Sequence, residues 1–231
     1  MKIGIGVLTY KRRNESSVCV SSIVKNCTYD YLVVSNDEYN NVGVAGNSNR
    51  LIKNLYDSEC DFFLILNNDI ELLGDISKLY INAYIKTGIE FFSFRTSPKI
   101  PGFERERFNK NGVDIIVSSV IGGALMFFTR DVVDKLGYMD LKFGKFWREH
   151  TDYTKRANLA GFMGRQYPIE TNIDVVESEK IIKFQNVETT LTKPELDKWA
   201  VTAEKHFREK WLPTFKGNLY EPYAESFDYK L

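Results

Sequence analysis

Asp69 ends an apolar run. Phe62–Leu66 (FFLIL) leads directly into Asn67, Asn68 and Asp69, so a stretch suited to burial delivers two amides and a carboxylate at its C-terminal end. One carboxylate flanked by amides is too little to cage a metal. Mg2+ and Mn2+, however, often bind through one or two carboxylates completed by substrate phosphates. Asp69 could therefore recruit a divalent ion together with a diphosphate ligand, or it could cap the turn after the strand. Two further apolar runs end alike, one in Thr9, Tyr10, Lys11 and Arg12, the other in Ser35, Asn36 and Asp37. In open parallel sheets, ligands bind outside the carboxyl ends of the strands. Three polar termini converging on one edge predict a ligand crevice.

A second constellation lies at 149–161, EHTDYTKRANLAG. Glu149, Asp152, Tyr153 and Arg156 are spaced i, i+3, i+4, i+7 and share one helix face, which places Arg156 to pair with Asp152. Glu149 falls in the first turn, where the helix dipole favours a carboxylate. It could serve as a cap or as an ionised general base. His150 could be a base, a metal ligand or neither. Helical neighbours diverge by about 100°, so Glu149 and His150 are not expected to point at one proton, and Glu149 is the preferred base. Trp147 could line a sugar or acceptor pocket, or be core. His206 is expected on a solvated helix face.

Between the second and third apolar runs lies NNVGVAGNSNRLI, with Asn41, Gly43, Gly46, Asn47 and Asn49 just before a helix. Small residues allow close backbone approach, and a helix N-terminus offers N–H groups. The segment lacks the Gly-Lys-Ser/Thr ending of a Walker loop and is not G-x-G-x-x-G, so a dinucleotide site is unsupported.

These groups need a frame. The 231 residues suit one domain, or one with a small addition. Lys+Arg and Asp+Glu are 31 each, which removes bulk charge as an argument for a polyanionic partner. Cys19, Cys27 and Cys60 show no metal spacing and suggest reduced thiols in a cytosol. No leader is visible before the first strand. The longest uncharged run, Ile115–Phe128, is shorter than the roughly 20 residues of a spanning helix. The expectation is a soluble, cytoplasmic protein without a membrane span.

Strands are expected at 2–9, 31–35, 62–66, 89–94, 113–118 and 121–128. Helices are expected at about 14–26, 45–56, 75–87, 130–137, 149–161 and 194–211. The order predicts an α/β fold with a mainly parallel sheet flanked by helices, a less regular second half and a C-terminal helix. One domain is expected over 1–212, its halves dividing near 96/97, with an acidic-aromatic tail at 213–231. The stretch 97–112 reads as a solvated polar loop in which Glu104 and Glu106 interrupt Lys99, Arg105, Arg107 and Lys110.

In this order the motifs resemble a family-2-type glycosyltransferase of the GT-A fold. LTYKR resembles the opening strand and nucleotide-binding turn, and SND the acidic site that reads the base. NVGVAGNSNRLI resembles the N-x-G, then Asn pattern, and LILNNDIEL the metal and nucleotide motif. GGALMFFTRDVVDKLGYMD resembles the acceptor strand and the segment after it. EHTDYTKRANLAG resembles the E-D-x-D-x-x-x-R-x-x-x-x-G helix. The resemblance covers the chain from the first strand to about Gly161. It implies transfer of a hexose or pentose, with inversion, from a nucleoside-diphosphate sugar (UDP-sugar as the expected donor) and Mn2+ or Mg2+ on Asp69. It also implies that Thr9, Tyr10, Arg12 and Asp37 hold the nucleoside, and that Asn47, Asn49, Asn67 and Asn68 lie along the ribose and diphosphate. Gly122, Gly123 and Trp147 would border the acceptor, and Glu149, His150 and Asp152 would supply the catalytic groups. Two positions depart from the pattern: Asn67 replaces the first acid of D-x-D, and His150 replaces the second acid of the Glu-Asp pair. The acceptor stays open between glycan, lipid, protein, small molecule and a hydroxylated DNA base. The rival readings are a nucleotidyltransferase and a non-catalytic nucleotide- or sugar-binding domain.

Overall fold

The structure, a computed structural model, describes residues 1–10, 13–35, 42–94, 104–119, 123–167, 171–185 and 192–211. In chain order the elements are β1 (Ile3–Leu8), α1 (Arg13–Asn26), β2 (Tyr31–Ser35), α2 (Gly43–Asp57), β3 (Phe62–Asn67) and β4 (Ile70–Leu72). Then follow α3 (Ile76–Thr87), β5 (Phe91–Phe94), β6 (Glu104–Lys110), β7 (Val113–Ser118), β8 (Leu125–Thr129) and α4 (Arg130–Leu136). After a 3-10 turn at Leu141–Phe143 come α5 (Glu149–Leu159), β9 (Asn172–Val175), α6 (Ser178–Ile181), β10 (Ile182–Phe184) and α7 (Lys193–Trp211).

The central sheet has the order β2-β1-β3-β8-β5. β1 pairs in parallel with both β2 and β3, while β8 runs antiparallel to β3 and to β5. The sheet is therefore mainly parallel with one reversed strand. The apolar runs of β1, β3, β5 and β8 are buried along almost their whole length, as strands covered on both faces must be. The Gly4 and Gly6 positions of β1 let α2 lie close: a Cβ at Gly4 would stand 2.7 Å from Leu55 Cδ2, and one at Gly6 would stand 3.0 Å from Leu51 Cβ.

The reversal of β8 matters for function. Because it runs against β3, its N-terminal end arrives at the C-terminal end of β3, where the Asn67 N–H donates to the Ala124 carbonyl at 2.9 Å. The chain's second half thereby enters the sheet at the edge where the polar strand ends gather.

Two expectations need correction. The 97–112 stretch is a loop only in part: β6 spans Glu104–Lys110 and pairs antiparallel with β7, which in turn pairs with β9. Its charges mark an exposed edge strand, which such residues protect from unwanted pairing. Arg107 binds Glu104 at 2.7 Å, and Glu106 is paired with Arg165. Lys99 lies outside the described residues. His206 is not on a solvated face either. It packs edge-on against Phe143, with ring centroids 4.7 Å apart, and its Nε2 lies 2.9 Å from Asp140 Oδ2. Burial pushes the Asp140 carboxyl up, but the His206 hydrogen bond and the Lys210 charge outweigh it and hold the carboxyl far below the usual range.

Asp174 on β9 gives a test of the packing beneath the sheet. It is buried and accepts hydrogen bonds from Tyr80 Oη of α3 (2.8 Å), Ser178 Oγ (2.7 Å) and the Val175 N–H (2.8 Å). Burial outweighs these donors and pushes the carboxyl up to about 7. An unfolded Asp releases its proton near about 3.9. Between those values the folded state binds more protons, so this group's contribution to stability falls as pH rises from about 4 to about 7. Asp174→Asn mimics the neutral carboxyl. The melting temperature of wild type relative to this variant should therefore decline by several degrees across that window, at about 2–4 °C per kcal/mol for a chain of this size. Parallel melting curves would refute it.

Candidate active site

The turn after β3 is held by three main-chain bonds and one side-chain bond. The Asn67 N–H reaches β8, the Asn68 N–H donates to Leu8 O of β1 at 3.2 Å, and the Asp69 carbonyl accepts from the Gln185 N–H at 2.7 Å. The Asn68 side chain donates to Ser16 Oγ of α1 at 2.8 Å. Asn68 thus ties α1 to the turn. Cys19 lies beneath, its Sγ 3.8 Å from the Asn67 carbonyl. Burial and then the nearby Asp69 charge push its thiol up to about 12. All three cysteines are buried and free.

Beside this turn is a cleft lined by Thr9 and Ser35 at the ends of β1 and β2 and by Arg13, Ser16, Ser17 and Ser21 of α1. Thr9 was expected here; the α1 residues were not. Their signal was present in RRNESSVCVS, since positions 13, 16, 17, 20 and 21 fall on one helical face. Tyr10 follows Thr9 at the strand end. Arg12, Asp37 and Gly122 lie outside the described residues.

The Asn-rich helix start divides by role. Asn49 clamps the chain after α4: its Nδ2 donates to Met139 O at 2.9 Å, and its Oδ1 accepts from Met139 N–H at 2.8 Å. Its amide is committed to the protein rather than directed along a ligand. Gly43, with φ +90°, is required by a protein contact as well, because a Cβ there would lie 2.6 Å from Lys145 Cα. Asn47, by contrast, is buried with an Oδ1 that makes no hydrogen bond among the described residues.

The geometry at α5 overturns the expectation that Glu149 and His150 diverge. His150 Nδ1 lies 2.7 Å from Glu149 Oε1. Backbone rotation of 100° separates the Cα–Cβ bonds, but both long side chains fold back at the helix start and meet. Glu149 Oε2 and His150 Nε2 are buried and make no hydrogen bond among the described residues. The imidazole rests on Gly123, where a Cβ would stand 2.3 Å from Cε1 and Nε2 and 2.4 Å from Cδ2. Those near-equal distances place Gly123 over the ring face, so the in-plane Nε2 lone pair points elsewhere. Gly123 directly precedes Ala124, the partner of Asn67. The dyad and the Asn67–Asp69 turn therefore flank one strand junction.

Asp152 has a different environment. It is completely buried, and its carboxylate takes Arg156 Nε at 3.1 Å, Trp211 Nε1 at 2.9 Å and Lys210 Nζ at 2.7 Å. The Arg156 pair forms as the spacing predicts, and α7 closes over it. Trp147 is not core: it is 46% exposed. Trp147 and Arg148 adopt φ of 87° and 70°, a left-handed conformation that is costly without glycine.

Gly123→Ala is expected to displace the imidazole and, by overpacking at a cost of about 1–3 kcal/mol, to lower the melting temperature by several degrees, at about 2–4 °C per kcal/mol for a chain of this size. An unchanged melting curve would show that the ring contact is not tight.

Among the described residues, no group of three or more His, Cys, Asp or Glu could hold a metal. Asp69 thus fits only an ion whose other positions are filled by a diphosphate and water. No described helix is long and apolar enough to cross a membrane.

No family model and no curated protein matches the chain in sequence. Solved structures do match. Staphylococcus aureus TarS 1–349 in complex with UDP is 13% identical, with TM-score 0.54 over 90% of this chain and 72% of that one. A Drosophila β1,4-galactosyltransferase 7 variant in complex with manganese, UDP-Gal and xylobiose is 12% identical, with TM-score 0.51 over 94% and 82%. A mannosyltransferase from Pyrobaculum calidifontis with GDP-Man and Mn2+ is 11% identical, with TM-score 0.50 over 72% and 54%. With its reversed strand set into a mainly parallel sheet and its polar strand ends on one edge, the chain has the GT-A fold of these glycosyltransferases.

Proposed function

We propose that the protein is a metal-dependent, inverting glycosyltransferase that moves a sugar from a nucleoside-diphosphate donor, expected to be a UDP-sugar, to an acceptor hydroxyl. The observation that carries this reading is the junction of β3 with β8: one side ends in Asp69, and the other carries the Glu149–His150 dyad on Gly123. The α1 cleft, with Thr9 and its neighbours, takes the nucleoside, together with Tyr10, Arg12 and Asp37. Asn47 and Asn67 face the ribose and diphosphate. A bound Mn2+ or Mg2+ on Asp69 would neutralise charge on the departing diphosphate.

The dyad supplies the base. With Nδ1–H donated to Glu149, Nε2 keeps its lone pair. That lone pair takes the acceptor O–H proton as the oxygen attacks the anomeric carbon from the face opposite the diphosphate. The carbon–diphosphate bond breaks, the configuration inverts, and Glu149 stabilises the imidazolium. This assigns proton removal to His150 and orientation to Glu149. Asp152 acts at one remove, by holding α5 in place through Arg156 and α7.

The test is a thermal-shift screen of UDP- and GDP-sugars with Mn2+. A donor at 100 times its dissociation constant should add about 2.7 kcal/mol, and the product should be free nucleoside diphosphate. Pyrophosphate as product would indicate nucleotidyl transfer, and binding without turnover would indicate a non-catalytic domain.

A further inference from the structure

We infer that a groove along α3 binds a small amphiphilic anion, with a carboxylate or phosphate head on an apolar body. The groove lies away from the strand ends described above. Phe91 of β5 and Phe63 of β3 share the partner Phe128 on β8, so β5 and β3 start at the same edge of the central sheet. α3 ends at Thr87, just before β5, which sets its last turn at that starting edge, opposite the edge that carries Asp69. The turn between β6 and β7 is pinned there too, because Asn111 Nδ2 donates to the Lys86 carbonyl at 2.7 Å.

The groove, of about 440 Å³, has α3 as one wall, and the start of β7, the end of β9 and α6 as the other. Its buried and half-buried lining is apolar: Leu79, Ala83, Val113, Val175 and Ile181. Lys78, Asn82 and Lys86 follow at i, i+4 and i+8, so they form one row on α3, with the two lysines about 12 Å apart along the axis. Lys180 of α6 stands on the far wall. All three lysines are exposed, and among the described residues none of their ammonium groups has a carboxylate partner. Of the two acids in the lining, Asp75 is turned to the protein. It accepts from the Thr28 and Lys78 N–H groups, each at 3.0 Å, and from the Thr28 and Ser77 hydroxyls. That leaves Glu177 alone against three ammonium groups.

Floor and rim together decide the ligand class. An apolar floor favours a hydrocarbon body, and unpaired ammonium groups above it favour an anionic head. A neutral sugar would leave its hydroxyls without partners on that floor. No aromatic side chain lines the groove, so a nucleotide base finds no stacking surface. A bilayer takes up apolar side chains that protrude, whereas Ala83 and Val175 are recessed, each 1% exposed. The ligand must therefore enter the groove as a free molecule.

Calorimetric titration of the whole chain tests this without any turnover. The probes are octanoate and octyl phosphate; the comparison arms are octylammonium, inorganic phosphate and phosphatidylglycerol vesicles. Octanoate or octyl phosphate should bind wild type saturably, and octylammonium at least tenfold more weakly. The triple variant Lys78→Ser, Lys86→Ser, Lys180→Ser changes only exposed side chains and should keep the wild-type melting curve while losing at least tenfold in affinity. Asn82→Trp, which fills the groove, should weaken binding by a similar factor. The inference is overturned if neither amphiphilic anion binds, if the triple variant binds them as wild type does, or if octylammonium binds equally well, which would mark apolar contact alone. It is also overturned if inorganic phosphate binds as tightly as octyl phosphate, if only the vesicles bind, or if UDP with Mn2+ displaces octanoate competitively, which would put the anion in the α1 cleft.

Discussion

Asp69→Ala is expected to abolish turnover and metal-dependent donor binding while leaving the fold intact. The turn that carries Asp69 is braced by main-chain bonds to β1, β8 and Gln185, none of which uses the carboxylate. Removing the side chain therefore leaves those main-chain bonds in place. What it removes is the carboxylate through which a divalent ion would be held against the diphosphate, and Asn67 in place of a second acid gives no reserve charge. Charge stabilisation by a metal at a leaving group amounts to several kcal/mol, so the rate should drop at least about 10³-fold. Turnover and the Mn2+-dependent thermal shift are the measurements. Near-normal activity in the variant, or a wild type indifferent to EDTA, would remove the metal from the mechanism.

His150→Asn is expected to cut turnover by roughly 10²–10⁴-fold with donor binding retained, the range of a positioned general base. Glu149→Gln should also be severe, for a different reason. A Gln amide can present N–H to Nδ1, which forces the imidazole proton onto Nε2 and blocks the lone pair; a wrong tautomer of this kind costs about 10⁴-fold in the Ser-His-Asp triad. If the two residues act as a unit, the double variant should be no slower than the worse single one. Single-turnover rates on the three variants decide the matter. A His150→Asn enzyme within threefold of wild type would return the base role to Glu149 alone.

Much of the frame was legible from local patterns. The uninterrupted apolar runs of β1, β3 and β5 mark strands covered on both faces, and Asp75 with Gly88 bounds α3 by ordinary capping: Asp75 accepts from the Lys78 N–H, and Gly88 is left-handed at φ 68°. The polar strand ends were visible for the same reason, since composition changes abruptly where a buried run meets solvent. The short strands β4, β9 and β10 were not foreseen, because three or four residues carry too little periodicity to mark a strand.

The sequence by itself determined which groups end the strands and which residues share the face of α5. Tertiary structure alone decided three things. The first is the reversal of β8, which brings Gly123 to Asn67; handedness rules constrain parallel crossovers, not the direction in which a later strand inserts. The second is the burial of α5. Its run from Thr151 to Asn158 is polar, yet α2, α4, β5 and the end of α7 pack around it, and polar groups can be buried there because partners arrive from afar: Trp211 and Lys210 on Asp152, and the Trp211 ring 4.0 Å from Lys155 Nζ. The third is the dyad itself. Helical periodicity describes where Cβ atoms start, and says that Glu149 and His150 part; side-chain rotamers chosen by packing against Gly123 bring their ends to 2.7 Å.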